Sequence, residues 1–321
     1  MHLLSAIPAS STTTATTTPL TVPAPPAAAG AHDLAALRDE FERQGFVILR
    51  GAHPPAWVEH MRALYPSLRA RQHAPDGNPP PAFDELLELE PQATIAAIAR
   101  PEVLAVAEAL MGPLLQLESV TYAGFAPDAA TRADAQPRVA GWHRDLFAAF
   151  PPADGHYVPP LLFNAMIYLQ DLSDENGPLR VIPGSHRRAM TIAPAQLALP
   201  HPEELVLYPK AGDAVLFHHA LLHTGTPNRS LETRYFFCVT YNHCWLKHRG
   251  TYTGPACRAL IEQARAAGDR RLLRLLAADD KAITRALYNH VLEPERVVWE
   301  RWQAEDRAEA SAVAAAHVPA G

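Results

Sequence analysis

The sequence has few cysteines, no excess of cations and no long apolar run. Its 321 residues include 3 cysteines, which are too few for a disulfide framework and form no C-x-x-C pair for zinc or redox chemistry. Lys plus Arg number 28 against 34 for Asp plus Glu, and this net charge of −6 argues against nucleic-acid binding. No apolar run approaches the roughly 18 residues of a membrane helix, and the opening residues lack the basic flank of a signal peptide. We therefore expect a cytoplasmic enzyme or binding protein.

Prolines and histidines are abundant instead. The chain has 31 prolines and 16 histidines in a composition that is 48% hydrophobic and 19% charged. The hydrophobic fraction is sufficient for a globular core. The prolines argue against a helix bundle, because they interrupt helices and favour turns between short strands. With so many histidines, a metal site has to be identified from a pattern rather than from histidine alone.

Composition divides the chain into a tail, one folded domain and a second tail. Residues 1–31 are rich in Thr, Pro and Ala, so we predict a disordered low-complexity tail that buries too little surface to offset the entropy of ordering. Residues 32–300 are predicted to be a single domain, and residues 301–321 a charged, alanine-rich tail. The domain is predicted to comprise a helical flank over 32–112, a β-rich core over 113–245 and C-terminal helices over 255–300.

The β-rich core is predicted from short apolar runs that end at turn-forming residues. The chain shows no regular alternation of strands with helices, which argues against a parallel sheet. Short strands separated in this way predict an antiparallel sandwich or barrel. Strands are predicted over Phe46–Gly51, Leu114–Phe125, Leu161–Leu172, Leu179–Ile182, Leu205–Tyr208, Ala214–His218 and Arg234–Asn242, and a first helix, capped by Asp33, through Gln44.

A Trp-His-Arg-Asp motif at 142–145 contains the first candidate metal ligands. Residues two apart in an extended strand point to the same face, so His143 and Asp145 would present an imidazole and a carboxylate side by side. Two histidines and one carboxylate with open positions opposite are typical of non-haem iron(II) oxygenases. Taken alone, the motif is also compatible with a surface strand on which Asp145 forms a salt bridge.

His223 and Arg234 are candidates to complete such a site. His223 begins a predicted polar turn after an apolar strand. His218 and His219 lie nearby, and any of the three is compatible with a hydrogen-bonded surface histidine. Arg234 begins an apolar strand, where burial is costly unless its guanidinium meets an anion such as the carboxylate of a cosubstrate. A strand-end arginine that faces water is the alternative.

The combined pattern resembles the phytanoyl-CoA dioxygenase family, a branch of the iron(II)/2-oxoglutarate-dependent oxygenases. The resemblance covers roughly residues 35–245 and rests on the H-x-D motif, DENGPLRVIPGSH (Asp174–His186), KAGDAVLFHHALLH, PNRS and the following arginine, and on the start LRDEFERQGFVILRG (Leu37–Gly51). It implies a mostly β protein with flanking helices, whose core is a double-stranded β-helix (a cupin-like jelly roll).

The resemblance also implies a ligand set. Iron(II) would be held by His143, Asp145 and His223, and Arg234 would bind the distal carboxylate of 2-oxoglutarate. Halogenating relatives replace the carboxylate ligand by a small residue, so Asp145 favours hydroxylation or another oxidation.

The position that often holds a cosubstrate-binding serine in the family is Gly225 in this chain. It lies two residues after the distal histidine. Thr224 or Thr226 is therefore predicted to substitute as the hydroxyl that contacts 2-oxoglutarate.

The implied activity is that of an oxidoreductase, an iron(II)/2-oxoglutarate-dependent dioxygenase that uses O2 to hydroxylate an unactivated C–H bond of a small molecule, releasing succinate and CO2. Desaturation, epoxidation or cyclisation of a natural-product scaffold by the same iron chemistry is the main alternative. A non-catalytic metal-binding jelly roll and a zinc hydrolase with the same ligands are further alternatives. The sequence indicates no obligatory protein partner and selects no substrate. Residues predicted to line the substrate pocket are Phe147, Phe150, Asn164, Met166 and Tyr168, with Arg144 as an anchor for an anion.

Overall fold

The computed structural model describes residues 33–71, 82–133, 137–146, 151–247, 252–288 and 292–316. None of the described helices is both long and apolar enough to cross a membrane. The helices are α1 (Leu34–Gln44), α2 (Pro55–Arg71), α3 (Leu86–Leu89), α4 (Pro91–Ile98), α5 (Pro101–Met111), α6 (Ala129–Ala133), α7 (Pro255–Ala267), α8 (Arg270–Leu275), α9 (Ala282–Ala286) and α10 (Glu295–Ala316). The strands are β1 (Phe46–Leu49), β2 (Ala82–Phe83), β3 (Leu115–Phe125), β4 (Leu162–Tyr168), β5 (Leu179–Val181), β6 (Leu205–Leu207), β7 (Ala214–His218), β8 (His223–Gly225) and β9 (Arg234–His243).

The first helix begins and ends as its sequence predicts. The Asp33 carboxylate accepts hydrogen bonds from the backbone N–H groups of Ala35 and Ala36 at 3.0 and 3.1 Å, which caps α1. Gly45 ends the helix with φ +85°, and a Cβ atom built there would lie 2.5 Å from His186 Nδ1. Glycine is therefore required by both the backbone conformation and the space. The chain then enters β1 directly.

Two antiparallel sheets form the centre of the molecule. The larger has the strand order β1-β7-β4-β9-β3-β2 and the smaller β6-β5-β8. Alternate residues of β4 point to opposite sides. Phe163, Ala165 and Ile167 join the core that lies under the helices. Tyr168 packs with residues of the smaller sheet such as Val181. The helices cover the outer face of the larger sheet, so the space between the two sheets is left for the site. In the described part of the chain, helical residues outnumber strand residues.

Most predicted strands agree with the observed ones to within two residues, and two predictions differ by more. The strand predicted over Leu161–Leu172 ends at Tyr168, whose carbonyl accepts a hydrogen bond from the N–H of Gly212 at 2.9 Å in the turn before β7. His223 was predicted to begin a turn, but it begins β8 and pairs with Val181 of β5. The prediction was wrong because β8 has no apolar pattern of its own, and its extended conformation depends on pairing with β5.

The C-terminal helix is packed on the domain through buried ion pairs. Arg274 of α8 donates to Asp279 at 2.9 Å and to Asp306 of α10 at 2.7 Å, and its side chain is only 3% exposed. Trp302 of α10 is also buried. The domain boundary predicted at residue 300 therefore falls inside a helix that packs on the domain. The tail predicted over residues 1–31 lies outside the described residues.

His53 is a buried histidine without a hydrogen-bond partner for either ring nitrogen among the described residues. Its ring centroid lies 4.7 Å from that of Trp57. Burial, with a smaller contribution from the charge of Arg100, lowers the pKa of His53 to about 3. The folded state therefore keeps this imidazole neutral in mild acid, where the unfolded chain would bind a proton.

Replacing His53 by Phe should reduce the acid sensitivity of the fold. The unfolded chain binds a proton near the ordinary pKa of 6.5, so the free energy of unfolding should fall as pH drops below that value and level off near 3. Between about pH 7.5 and about pH 5.5, the wild type should lose about 1 kcal/mol more than His53→Phe. Urea unfolding at both pH values measures this loss. The exposed His60→Phe is the control, and equal losses in wild type and His53→Phe would contradict the expectation.

Candidate metal centre

Three side chains predicted as metal ligands converge in space. One ligand atom from each of His143, Asp145 and His223 lies within 4.8 Å of the others. Asp145 Oδ1 is 3.8 Å from His143 Nε2 and 3.5 Å from His223 Nε2. Donor atoms bound to one ion at about 2 Å lie roughly 3 to 4 Å apart. The three side chains therefore fit a common cation with little rearrangement.

Main-chain pairing brings these ligands together. The N–H groups of His143 and His223 each donate to the other's carbonyl oxygen at 3.1 Å, as an isolated antiparallel bridge beside β8. The N–H of Asp145 donates to the carbonyl of His219 at 2.9 Å. The His-x-Asp segment is thus extended but belongs to no strand. His223 is buried, whereas the His143 side chain is 54% exposed, so the site opens on the side of His143.

Backbone carbonyls fix the protonation of both imidazoles. His143 Nδ1 lies 2.8 Å from the carbonyl oxygen of Gly141, and His223 Nδ1 lies 3.0 Å from that of Leu221. A carbonyl only accepts, so in the neutral form of each ring Nδ1 carries the proton and Nε2 has the lone pair that a cation needs. Burial also lowers the pKa of His223, which favours the neutral form that binds a metal.

The Asp145 carboxylate is held by an amide. Asn164 Nδ2 donates to Asp145 Oδ2 at 2.6 Å, and Asn164 Oδ1 accepts from the Thr240 hydroxyl at 2.7 Å. Asn164 was predicted to line the substrate pocket, and the structure places it behind a candidate ligand instead. Only the strand register brings Thr240 opposite Asn164, and the sequence carries no signal for it.

Arg234 is a buried cation without an acidic partner among the residues described. Its Nη1 donates to the carbonyls of Thr226, at 2.7 Å, and of Gly177, while its Nε is buried without a partner. The guanidinium carbon lies 5.0 Å from the Phe125 ring centroid. Burial lowers the pKa of Arg234. A donor left without a partner on a buried cation fits a carboxylate ligand.

The hydroxyls of Thr224 and Thr226 are engaged elsewhere. Thr224 lies on the face of β8 opposite His223, and its Oγ1 accepts from the N–H of Gly141 at 3.0 Å. Thr226 Oγ1 accepts from Arg180 Nε at 2.9 Å. The prediction that either hydroxyl contacts 2-oxoglutarate therefore finds no support in the geometry. A Cβ atom built at Gly225, on the same face as His223, would meet no atom within 4 Å, so the site has open space there.

Of the other predicted pocket residues, Tyr168 is buried in the core, Met166 is partly buried, and Phe147 and Phe150 lie outside the described residues. Tyr168 is buried between the sheets, and its hydroxyl donates to Met166 Sδ at 3.0 Å. Burial raises the pKa of Tyr168. Met166 is only partly buried and lies on the same face of β4 as Asn164, so it remains a candidate pocket residue.

The alternative histidines His218 and His219 hydrogen-bond to the backbone and are not part of the candidate metal group. His218 uses both ring nitrogens, Nε2 at 3.0 Å from the carbonyl of Val158 and Nδ1 as an acceptor of the N–H of Ala220 at 2.9 Å. His219 Nδ1 lies 3.1 Å from the carbonyl of Leu162. Neither belongs to the group formed by His143, Asp145 and His223. The sequence alone did not distinguish these two histidines from His223.

Arg144 connects the ligand-bearing segments rather than facing a pocket. Its guanidinium donates to the carbonyls of Ser185 at 3.0 Å and Met190 at 3.2 Å, and to those of Arg188 and Ala220. Burial, with a contribution from the charge of Arg188, lowers its pKa to about 10. The geometry gives no support to the predicted anion anchor, because both Nη atoms of Arg144 donate to main-chain carbonyls.

Arg144→Met should lower the free energy of unfolding by about 3 kcal/mol, because it removes four charged hydrogen bonds and leaves the carbonyls of Met190 and Ala220 without another described donor. The matched control is Arg188→Met in the same region, where an exposed pair with Glu203 is lost and a change under about 1 kcal/mol is expected. Urea unfolding of the metal-free protein measures both. Equal stability of the wild type and Arg144→Met would refute the connecting role.

Comparison with protein families gives one match that covers most of the folded chain. The family model for phytanoyl-CoA dioxygenase (PhyH) matches residues 41–236, more than half of the 321 residues. Among curated proteins, the L-proline trans-4-hydroxylase of Streptomyces griseoviridis is 34% identical over 128 residues, which are 32% of this chain and 47% of that protein. The chain thus spans slightly less than half the length of this relative.

Solved structures share the fold at low sequence identity. HygX from Streptomyces hygroscopicus, with nickel and 2-oxoglutarate bound, is 18% identical with a TM-score of 0.53, over 69% of this chain and 90% of that one. The epimerase SnoN, in complex with Fe3+, alpha ketoglutarate and nogalamycin RO, is 21% identical with a TM-score of 0.51, over 68% and 86%. These similarities confirm the predicted jelly-roll fold.

Proposed function

Because this chain belongs to the phytanoyl-CoA dioxygenase family, we propose that it is an iron(II)- and 2-oxoglutarate-dependent dioxygenase. Its reaction is the hydroxylation of an unactivated C–H bond of a small molecule by O2, with release of succinate and CO2. The observation that carries this proposal is the convergence of His143, Asp145 and His223, in which Asp145 Oδ1 lies 3.8 Å from His143 Nε2 and 3.5 Å from His223 Nε2.

The donor set fits iron(II) in an oxygenase. Two imidazole nitrogens and one carboxylate oxygen on one side of an ion are the ligands of non-haem iron(II) enzymes, and the open side leaves positions for a cosubstrate. Iron(II) bound there would supply the coupling of O2 activation to the oxidative decarboxylation of 2-oxoglutarate. His143 and His223 bind through Nε2, and their backbone partners keep the rings in this orientation.

Arg234 is the residue proposed to bind the distal carboxylate of 2-oxoglutarate. Its Nη1 is held by backbone carbonyls, so the guanidinium is fixed in place before an anion arrives. The buried, unpartnered Nε supports a carboxylate neighbour. The open space at Gly225 gives room for the chain of the keto acid beside β8.

Hydroxylation is the proposed outcome, and an amino-acid-like compound or another small natural product the proposed substrate. Asp145 occupies the carboxylate position, which disfavours halogenation, and a curated relative is named as a proline hydroxylase. Desaturation, epoxidation and cyclisation use the same ligands, so product analysis distinguishes them. As part of the same proposal, the enzyme acts in the cytoplasm without a nucleic acid, a membrane or an obligatory protein partner.

The direct test adds iron(II) and 2-oxoglutarate to the protein without oxygen. A visible metal-to-ligand charge-transfer band is expected only if both bind at one centre. Free L-proline and other amino acids are then screened for O2-dependent succinate release. A zinc hydrolase would give neither the band nor an oxygen requirement, and a non-catalytic jelly roll would retain iron without consuming 2-oxoglutarate.

Asp145→Ala should abolish the band and lower succinate formation by at least about 100-fold, because the cation loses the one anionic ligand among the three protein side chains. The exposed Asp154→Ala, on a loop outside the site, is the matched control and should behave as wild type. Near-normal turnover in Asp145→Ala would show that the ion is bound elsewhere.

Arg234→Gln should mainly weaken cosubstrate binding. Loss of a charged hydrogen bond to a carboxylate is expected to raise the half-saturating concentration of 2-oxoglutarate by about 10- to 100-fold. Iron affinity should change little, since Arg234 is not a ligand. Steady-state kinetics at varied 2-oxoglutarate measure the effect, with Arg188→Gln as an exposed control. An unchanged half-saturating concentration would remove Arg234 from this role.

A further inference from the structure

We infer that Asn164 and Thr240 are positioning residues that hold Asp145 with a single oxygen directed at the metal. The inference rests on the proposed function, since it concerns the same centre. It assigns a role to two residues that contact neither the ion nor the cosubstrate in that proposal.

The two oxygens of Asp145 have different partners. Oδ1 is the atom near both imidazoles, 3.5 Å from His223 Nε2 and 3.8 Å from His143 Nε2. Oδ2 accepts the N–H of Asn164 at 2.6 Å. Binding of an ion by both oxygens would require Oδ2 to turn toward the ion, away from its position against Asn164 Nδ2, and would compete with this short hydrogen bond. Asn164 therefore restricts Asp145 to one coordination position and leaves the others for a two-pronged cosubstrate and O2.

The orientation of the Asn164 amide follows from its two neighbours. An ionised carboxylate only accepts, so the Asn164 NH2 group must face Asp145. The amide oxygen then needs a donor, because Asn164 is only 4% exposed. The Thr240 hydroxyl is that donor, at 2.7 Å. A rotated amide would set its oxygen against the carboxylate oxygen of Asp145, so that two acceptors would face each other.

The strand register supplies the geometry. Asn164 of β4 and Thr240 of β9 are directly paired residues of the larger sheet, with both side chains on the face toward the smaller sheet. Asp145 lies in a segment that belongs to no strand, and its N–H bond to the His219 carbonyl is its one described main-chain hydrogen bond. Few main-chain hydrogen bonds hold Asp145 in place. The side chains of Asn164 and Thr240, which the larger sheet positions, therefore hold its carboxylate.

A neutral amide is chemically suited to this position. A lysine or arginine against Oδ2 would bring a positive charge close to the cation and oppose its binding. An amide donates a hydrogen bond without a net charge, so Asp145 keeps its full negative charge for the ion. Loss of such an outer partner commonly costs 10- to 100-fold in metal affinity.

The test is a titration of the metal-free protein with Co(II), followed by its visible absorption. Asn164→Leu should bind Co(II) about 10- to 100-fold more weakly than wild type. Its absorption should also change in intensity, because an unrestrained carboxylate changes the coordination number. Thr240→Val, which keeps the shape of the side chain, should give a smaller loss. The double variant should bind no more weakly than Asn164→Leu, since Thr240 acts only through Asn164.

Thr121→Val is the matched control. Thr121 lies on β3 opposite Cys238, and its hydroxyl donates to Asp84 at 2.6 Å, away from the centre. It should leave Co(II) affinity unchanged. Circular dichroism and urea unfolding establish whether each variant is folded. If Asn164→Leu does not fold, the Co(II) affinity of Thr240→Val tests the positioning role.

The possible failures are distinguishable. If wild type binds Co(II) and both Asn164→Leu and Thr240→Val bind it equally well with the same spectrum, the positioning role is wrong and the proposed function stands. If the losses of the two single variants add in the double variant, Thr240 does not act through Asn164. If wild type itself binds no Co(II) or iron(II), the proposed function fails, and the positioning role fails with it.

Discussion

The paired main-chain hydrogen bonds between His143 and His223 are the interaction on which the site depends. They join two segments that are distant in sequence and set their side chains on one face, with ring centroids 4.3 Å apart. Arg144 supports this pairing, because it donates to carbonyls of the segments that flank His223. Thr224 also supports it by holding Gly141, whose carbonyl orients the His143 ring.

The charges of the site are separated along the space between the sheets. At one end Asp145 is the candidate anionic ligand, and its side-chain contacts include an amide and two imidazoles. At the other end Arg234 is surrounded by backbone carbonyls and an aromatic ring. Neither charge is neutralised by an internal ion pair among these residues. A dianionic keto acid could place one carboxylate against Arg234 and the other on a cation held by Asp145. The two charges of the site therefore support the same proposed ligand.

Several parts of the fold and site followed from local sequence. The strand Ala214–His218 and the first helix with its Asp33 cap are confirmed at their predicted bounds. His143, Asp145 and His223 were named from motif order and resemblance, and the structure brings them together. The roles of Thr224 and Arg144 were not predictable in the same way. Which face Thr224 occupies depends on β8 being a strand, and Arg144 depends on four carbonyls from other segments.

The sequence by itself determined the ligand types, their order and the antiparallel character of the core, because these follow from residue chemistry and from apolar periods along the chain. Only the tertiary structure decided which histidine joins the candidate metal group, which oxygen of Asp145 lies near both imidazoles and what holds that carboxylate. Asn164 and Thr240 meet only through the register of β4 and β9. Register arises from packing of the whole sheet, and a local pattern of residues does not contain it.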